Sequence, residues 1–406
     1  MAVRLAPPCG LLPVPGIRTA TASAGLRRKG GDDVALITLG AHARSAAMFT
    51  RNRFRAAPVQ LAREHLERAQ PRALLINSGC ANAGTGKAGY DDARRLCAAT
   101  AQALGVGADE VLPFSTGVIG ERLPVEAIKR AARNCVDRLS ADAWLTAADA
   151  IMTTDTVPKG ASRRISLGGT DVTVTGIAKG SGMIEPDMAT MLAFIATDAP
   201  LADDPLRACL ETSVNGSFNR ITVDGDTSTN DACVLMATGE ATLDTLQDIT
   251  DERSQRLCAT IAEVMTELAQ AIVRDAEGAT KFVAVEVSGG ATERDCLEVA
   301  YTVARSPLVK TALFASDPNW GRILAAVGRA RVEHLDVFRV ALSINEVLVL
   351  KHGEPVLDYT EEAGAQAMGG ADITIHIDLG LGSHQATVWT SDLSYDYVRI
   401  NAEYRT

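Results

Sequence analysis

Three stretches of the chain carry apolar residues at helical spacing. The first follows Pro124, a residue suited to the opening turn of a helix, and consists of Val125, Ile128, Ala132, Cys135, Val136 and Leu139. The second consists of Leu257, Ile261, Val264, Met265, Leu268 and Ile272. The third consists of Tyr90, Ala93, Cys97, Ala101 and Leu104. Each pattern predicts an amphipathic helix with one buried face.

Strict alternation of apolar and polar residues predicts strands, most of them in the C-terminal third. The alternating apolar positions are Ile373, Ile375, Ile377 and Leu379 in one run, and Phe338, Val340, Leu342 and Ile344 in another. Asn345 and Glu346 separate the second run from residues 347–350, which predicts a hairpin. Further strands are predicted at residues 172–174, 282–287 and 386–389, and the last residues, from Tyr395 to Ile400, are predicted to be structured.

Helices and strands are mixed along the whole chain, and the C-terminal strands follow one another closely. This pattern predicts a layered α+β fold with antiparallel C-terminal strands, not a doubly wound parallel sheet. A length of 406 residues predicts two or three folding units or one large duplicated architecture.

Charge and composition narrow the classes of partner. A net charge of −10 argues against a nucleic-acid surface, and the densest basic stretch, residues 51–55, is interpreted as a solvated strand end or an anion contact. The chain has no apolar run of about 18 residues and no signal-peptide core at its start, so we expect neither a membrane span nor secretion. Eight scattered cysteines without a C-x-x-C pair are expected to be buried free thiols in a reducing cytoplasm. The histidines are too scattered to predict a metal site.

Two glycine-rich stretches come close to nucleotide-binding motifs. Gly79 and Gly84 have P-loop spacing, but Thr85 stands where the phosphate-binding lysine is required, and Lys87 precedes an alanine. In residues 180–185, Glu185 replaces the last glycine of a dinucleotide-binding fingerprint. A tight backbone turn is the favoured interpretation of the first stretch, and nucleotide binding by Gly79–Lys87 is kept as an alternative.

The segment 178–198 begins rich in glycine and then becomes apolar. Thr190 stands at the boundary, directly after Ala189. A threonine that starts a strand usually has a structural role, so this position alone is weak support for a catalytic role of Thr190.

The segment from Lys179 to Leu192 resembles the self-cleavage signature of the ornithine acetyltransferases, also called glutamate N-acetyltransferases. Six more segments resemble that family in the same order, and they span residues 77–82, 115–120, 152–156, 220–226, 316–322 and 401–406. The resemblance covers nearly the whole chain. It implies a layered αββα sandwich of duplicated halves and an enzyme of arginine biosynthesis.

The resemblance implies autocatalytic cleavage between Ala189 and Thr190, which would give chains of residues 1–189 and 190–406 that associate as α2β2. Cleavage would free the α-amine of Thr190. An α-amine has an ordinary pKa of about 7.7–8.0, so much of it is neutral near pH 7 to 8 and can take the proton of the threonine hydroxyl.

The resemblance also implies that Thr190 carries an acetyl group from N2-acetylornithine to glutamate, with acetyl-CoA as a further donor and no cofactor. Thr116 and Gly117 match the residues that stabilise the oxyanion. The implied substrate contacts are Thr153, Lys179, Thr190, Glu277, Asn401 and Thr406. Glu277 could bind a substrate amine or orient the Thr190 amine. The alternative is an N-terminal-nucleophile amidase or aminopeptidase in which water takes the acyl group.

Overall fold

The computed structural model describes residues 2–27, 30–185 and 191–403. Ala189, Thr190 and Thr406 therefore lie outside the described residues. The described chain forms eleven α-helices, which are α1 Ala57–Arg68, α2 Gly86–Leu104, α3 Val125–Val136, α4 Trp144–Ala150, α5 Asp203–Gly216, α6 Glu252–Arg274, α7 Glu293–Ala304, α8 Pro307–Phe314, α9 Trp320–Gly328, α10 Glu361–Met368 and α11 Tyr395–Ala402.

The same residues form sixteen strands. They are β1 Ile17–Ala22, β2 Val34–Leu39, β3 Arg44–Phe49, β4 Ala73–Cys80, β5 Val111–Val118, β6 Lys159–Leu167, β7 Thr170–Lys179, β8 Leu192–Thr197, β9 Ile221–Thr222, β10 Ala232–Ala237, β11 Phe282–Gly290, β12 Ala341–Ile344, β13 Val347–Lys351, β14 Glu354–Pro355, β15 Asp372–Asp378 and β16 His384–Ser391.

The chain divides into two compact units, as its length predicts. The larger unit contains the described residues of 7–219 and 227–272. The smaller unit contains the described residues of 2–6, 220–226 and 273–403.

Two sheets face each other in the larger unit. Their strand orders are β1-β2-β4-β5 and β3-β10-β8-β7-β6. Apolar side chains from both sheets form one core, in which Phe114 of β5 and Phe194 of β8 meet edge to face with ring centroids 5.1 Å apart. Aligned apolar faces of this kind drive two sheets together because each buries surface that neither can bury alone.

Helices cover both outer faces of this sheet pair. Leu96 of α2 and Ile128 of α3 pack with Leu36 and Leu75 of the first sheet. On the second sheet, a Cβ atom at Gly176 of β7 would lie 3.0 Å from the Leu268 side chain of α6. The larger unit is therefore an αββα sandwich, and the predicted layered α+β fold is confirmed.

The smaller unit has one seven-stranded sheet, ordered β14-β13-β12-β15-β11-β16-β9. Helices α7 and α9 pack Val299 and Ile323 against Val285 and Ile375 of its central strands. The three sheets formed by the described residues differ in strand number and order, so the duplication implied by the resemblance stays a prediction.

Most local predictions are confirmed. Helices α2, α3 and α6 match the three apolar stripes, although α3 ends before Leu139. The hairpin β12–β13 turns at Asn345, whose φ of +49° is in the left-handed region that asparagine tolerates. The predicted beginning of β12 at Phe338 is wrong, since that side chain is 74% exposed and the strand begins at Ala341.

The predicted antiparallel pairing of the C-terminal strands is confirmed only in part. β12 pairs antiparallel with β13 and β15, and β11 pairs antiparallel with β16. β11 and β15, however, run parallel, because helices and three further strands lie between them in the chain and bring β15 back in the same direction. The eight cysteines are free thiols, and six of them are buried as predicted, whereas Cys9 is exposed and Cys258 is half-buried. Burial raises the pKa of Cys97 above its ordinary value. Among the helices of the described residues, none combines the length and the apolar composition that a membrane-spanning helix requires.

Candidate active site

Strands β7 and β8 hold the two flanks of the predicted cleavage position side by side. They are antiparallel neighbours, and Lys179, the last residue of β7, pairs with Leu192, the first residue of β8. Thr190 precedes Leu192 by two residues in the chain. Because this pairing involves residues on both sides of 189–190, its hydrogen bonds do not depend on the peptide bond between those residues.

Three predicted site residues meet at this end of the sheet, although they come from separate segments. The Lys179 ammonium donates to the Thr153 hydroxyl at 2.8 Å and reaches the Thr116 hydroxyl at 3.4 Å. Lys179 is 4% exposed and Thr116 8% exposed. A hydroxyl that accepts from an ammonium keeps its own proton for donation, so Thr116 can still donate to a ligand oxygen.

Gly117 has a backbone conformation that needs glycine. Its φ is +132°, and a Cβ atom there would lie 2.2 Å from the carbonyl carbon of Gly79. Gly79 itself has a φ of +106°. The glycine-rich stretch that begins at residue 77 thus comprises the end of β4, which packs against the end of β5, the connection 81–85 and the first turn of α2. The turn favoured from the sequence is confined to that connection. Lys87, the residue closest to a P-loop lysine, donates instead to Asp91 at 2.7 Å, which weakens the nucleotide alternative.

Asp155 is a buried carboxylate that organises this cluster. Its oxygens accept from Lys159 Nζ at 2.7 Å, from the Gly180 amide at 2.7 Å and from the Thr153 amide at 3.0 Å. Burial by itself would raise the pKa of Asp155, but the ammonium groups of Lys159 and Lys179 and these hydrogen bonds hold that pKa below its ordinary value. The carboxylate therefore stays charged at neutral pH and faces two lysines.

Sequence reasoning did not assign a role to Asp155 or Lys159. Asp155 lies in the segment 152–156 that carried the resemblance, but nothing in the local pattern indicates that both side chains are fully buried. The available signal was an aspartate four residues before a lysine at the start of a strand, which is common on protein surfaces.

Asn230 and Asp231 were also not assigned a role from the sequence. Asp231 accepts a hydrogen bond of 3.0 Å from the amide of Met191, the residue that follows Thr190 in the chain. Asn230 donates to the carbonyl of Ser115, next to Thr116, at 2.8 Å. Both side chains are buried.

Two further predicted residues meet in the smaller unit. Asn401 of α11 donates to Glu277 at 2.8 Å, and Glu277 is 9% exposed. Tyr397, one turn earlier, donates to Asp224 at 3.3 Å. Burial, with the negative charges of Asp224 and Glu277, raises the pKa of Tyr397 above its ordinary value. The tyrosine is therefore a neutral donor beside two carboxylates at physiological pH.

Comparison with known proteins decides the family. The sequence profile of the ArgJ family matches residues 18–406. The chain belongs to the ArgJ family. This match confirms the family resemblance, since it covers the segments from Asn77 to the C-terminus that carried it.

Full-length relatives of this ArgJ-family chain are close in sequence. The arginine biosynthesis bifunctional protein ArgJ of Pseudomonas syringae pv. tomato is 53% identical over 406 residues and covers 100% of both chains. The protein of the same name from Methylococcus capsulatus is 54% identical over 396 residues, covering 98% of this chain and 97% of its own.

Among solved structures, this ArgJ-family chain is similar to the arginine biosynthesis bifunctional protein ArgJ from Bacillus halodurans. The two are 39% identical, with a TM-score of 0.48 over 50% of this chain and 95% of that one. An ornithine acetyltransferase from Mycobacterium tuberculosis, solved in complex with ornithine, is 36% identical with a TM-score of 0.39 over 44% of this chain and 94% of that one.

Proposed function

We propose that this chain transfers the acetyl group of N2-acetylornithine to glutamate through an acetyl ester on Thr190, as an enzyme of arginine biosynthesis. The main support is the cluster of Thr116, Thr153 and Lys179 at the end of β7. Lys179 pairs with Leu192, the first residue of β8, and Leu192 follows Thr190 by two residues in the chain. Membership of the ArgJ family supports the assignment, because full-length relatives are named as arginine biosynthesis proteins.

The nucleophile is generated by self-cleavage. The Thr190 hydroxyl oxygen attacks the carbonyl carbon of Ala189, the peptide C–N bond breaks, and an ester joins the two residues. Water then hydrolyses the ester to a carboxylate on Ala189 and a free hydroxyl and α-amine on Thr190. The products are residues 1–189 and 190–406.

In the first half of the transfer, the α-amine of Thr190 takes the hydroxyl proton and the oxygen attacks the acetyl carbonyl of N2-acetylornithine. The resulting oxyanion accepts from the Thr116 hydroxyl and the Gly117 amide, and a donor of this kind typically lowers the barrier by ~3–4 kcal/mol. The proton passes to the departing nitrogen, ornithine leaves, and the acetyl group stays on Thr190.

In the second half, the α-amine of glutamate attacks the ester carbonyl. Its proton returns to the Thr190 oxygen, and N-acetylglutamate leaves. Since ornithine must depart before glutamate enters, the kinetics are ping-pong.

Lys179 suits substrates with an α-carboxylate. Its ammonium is buried and lies 3.8 Å from the nearer oxygen of Asp155, 2.8 Å from the Thr153 hydroxyl and 3.4 Å from the Thr116 hydroxyl. A buried ammonium attracts an anionic group more strongly than an ammonium in water does, which supports the role of Lys179 as the partner of the substrate carboxylate.

The remaining substrate contacts are Glu277, Asn401 and Thr406. Glu277 either binds a substrate amine or orients the Thr190 amine. The cut chains associate as α2β2 in the cytoplasm, and no cofactor takes part.

A second activity, acetylation of glutamate from acetyl-CoA, is proposed because the full-length relatives are named as bifunctional proteins. It uses the same acetyl-Thr190 ester, and only the leaving group changes from an amine to a thiol.

The main alternative is a hydrolase that shares Thr190 but gives the acetyl group to water. Purified protein incubated with N2-acetylornithine, with and without glutamate, separates the two by mass-spectrometric quantification of products. Transfer yields N-acetylglutamate and ornithine in equal amounts. If acetate forms at the same rate with and without glutamate, the protein is a hydrolase.

A further inference from the structure

Asp231 holds the beginning of the strand that follows Thr190. Its Oδ1 accepts from the Met191 amide at 3.0 Å, and the next amide, that of Ala232, donates to the Met191 carbonyl at 3.1 Å. Met191 is therefore bonded through both its amide and its carbonyl to residues 231–232. Asp231 is 1% exposed, so water does not compete for this contact.

Asn230, its neighbour in the chain, holds the end of β5. Its amide group donates to the Ser115 carbonyl at 2.8 Å and to the Ala81 carbonyl at 2.7 Å. Its own oxygen accepts from the Thr229 hydroxyl at 2.6 Å. One side chain thus fixes both the residue that directly follows β4 and the residue before Thr116.

The segment that carries both side chains is itself fixed. The Asp231 carbonyl accepts from the Thr50 amide at 3.1 Å, and the Asn230 amide donates to the Ser228 hydroxyl at 3.1 Å. The Thr50 hydroxyl donates in turn to the Ser228 carbonyl at 2.8 Å. β10 begins directly after Asp231, between β3 and β8 in the second sheet.

We propose that Asn230 and Asp231 are positioning residues that set the distance between the oxyanion donors at the end of β5 and the start of β8, which follows the nucleophile by two residues in the chain. The inference rests on the proposed function, which assigns these roles to Thr116, Gly117 and Thr190. Asn230 is hydrogen-bonded to the end of β5, and Asp231 is hydrogen-bonded to the residue before β8. Because the two residues are adjacent in the chain, only a few covalent bonds separate these contacts, and the distance between the two segments is fixed. An acyl-transfer site depends on such alignment, and an error of about 1 Å can cost ~100-fold in rate.

The protonation state of Asp231 indicates that Asn is its conservative replacement. Burial raises the pKa of this carboxyl well above the ordinary value, while the Met191 amide and the Lys179 ammonium act in the opposite direction. Burial therefore favours the neutral acid. Asn is neutral, has the same shape and keeps an oxygen that can accept from the Met191 amide.

The test compares Asp231→Ala, which removes the acceptor, with Asp231→Asn, which keeps it. Asn230→Asp keeps the size of the side chain but removes both donors. Ser217→Ala is the matched control, since it deletes a buried hydrogen bond of 2.6 Å from Ser217, directly after α5 in the same unit, to the Ser213 carbonyl. Each variant is measured for self-cleavage, for steady-state acetyl transfer, and for amide hydrogen exchange in peptides covering 111–118 and 191–196.

We expect Asp231→Ala and Asn230→Asp to lower kcat about 10- to 100-fold with little change in the KM for N2-acetylornithine, because alignment and not binding is lost. Asp231→Asn should stay within about threefold of the parent protein. Exchange should rise in peptide 191–196 for Asp231→Ala and in peptide 111–118 for Asn230→Asp. Ser217→Ala should change neither kcat nor these peptides.

Equal loss in Asp231→Asn and Asp231→Ala would overturn the proposal, as would a rise in KM at constant kcat or unchanged exchange in both peptides. If Asp231→Ala does not fold, Asn230→Asp and the exchange data decide. If the parent protein makes no N-acetylglutamate, the proposed function fails, and the hydrogen-exchange result still decides whether the two side chains hold the two segments.

Discussion

The Lys179 ammonium and the Thr153 hydroxyl are joined by a hydrogen bond of 2.8 Å at the end of β7. Asp155 lies beside both, since it accepts from the Thr153 amide at 3.0 Å and its nearer oxygen is 3.8 Å from Lys179 Nζ. The position of the one lysine proposed to meet substrate is thus set by a buried carboxylate and a threonine hydroxyl.

Replacing Lys179 by Met keeps the length of the side chain and removes its charge. A hydrogen bond to a charged group contributes about 1.5–3 kcal/mol, so we expect the KM for N2-acetylornithine to rise about 10- to 150-fold. Steady-state kinetics measure this, with Arg18→Met as the control because that arginine lies on β1 and donates to the Leu139 carbonyl. An unchanged KM in Lys179→Met would remove Lys179 from the substrate site.

Gly117→Ala should abolish acetyl transfer and lower the melting temperature. The new Cβ atom would lie 2.2 Å from the Gly79 carbonyl carbon, so β5 must move away from β4. Gly120→Ala is the matched control, because Gly120 also has a positive φ, +90°, but has no atom within 4 Å of the added Cβ. Differential scanning calorimetry and transfer assays should show a much larger loss of melting temperature and activity for Gly117→Ala than for Gly120→Ala. Equal losses would mean that backbone strain alone, without the contact to Gly79, accounts for them.

Asp155→Asn should destabilise the protein at neutral pH by about 3–5 kcal/mol, because it leaves buried ammonium groups without their carboxylate. The pKa of Asp155 is lower in the folded chain than in the unfolded chain. Its contribution to stability is therefore complete above the unfolded value of about 3.9 and is lost as the pH falls toward the folded value. Urea denaturation between pH 7 and pH 3 should show a constant difference between parent and variant down to about pH 5, then a shrinking one. A difference that grows on acidification would contradict this account of the cluster.

Glu277 and Asn401 should act as one unit in catalysis, since the Asn401 amide donates directly to the Glu277 carboxylate at 2.8 Å. Glu277→Gln and Asn401→Ala should each lower kcat/KM, and the double variant should lose less than the sum of the two. Directly bonded pairs typically couple by about 0.5–3 kcal/mol, which a double-mutant cycle on kcat/KM resolves. Strict additivity would show that the contact has no part in transfer.

The spacing of apolar residues along the chain was sufficient to predict the amphipathic helices. Helices α2, α3 and α6 were predicted because a buried helical face imposes a regular spacing on the apolar residues. The parallel pairing of β11 with β15 was not predicted, because no signal along either strand records the direction of its neighbour.

The candidate site was predicted only in its outline, and by family resemblance. Thr116, Thr153 and Lys179 were expected to act together, and the structure brings their side chains into contact. Asp231 had no such signal, because its role depends on the Met191 amide 40 residues away in the chain. A buried acid bonded to a distant backbone cannot be distinguished in sequence from an acid in an exposed turn.

Thr190 is proposed to become an N-terminal nucleophile that carries the acetyl group, and mass spectrometry of the purified protein, before and after brief incubation with N2-acetylornithine alone, measures both steps. We expect fragments of residues 1–189 and 190–406 in place of the 42.7 kDa chain, with one added acetyl group on Thr190 of the second fragment after incubation. An intact chain that is fully active, or cleaved protein that turns over without any acetylated fragment, would contradict this proposal.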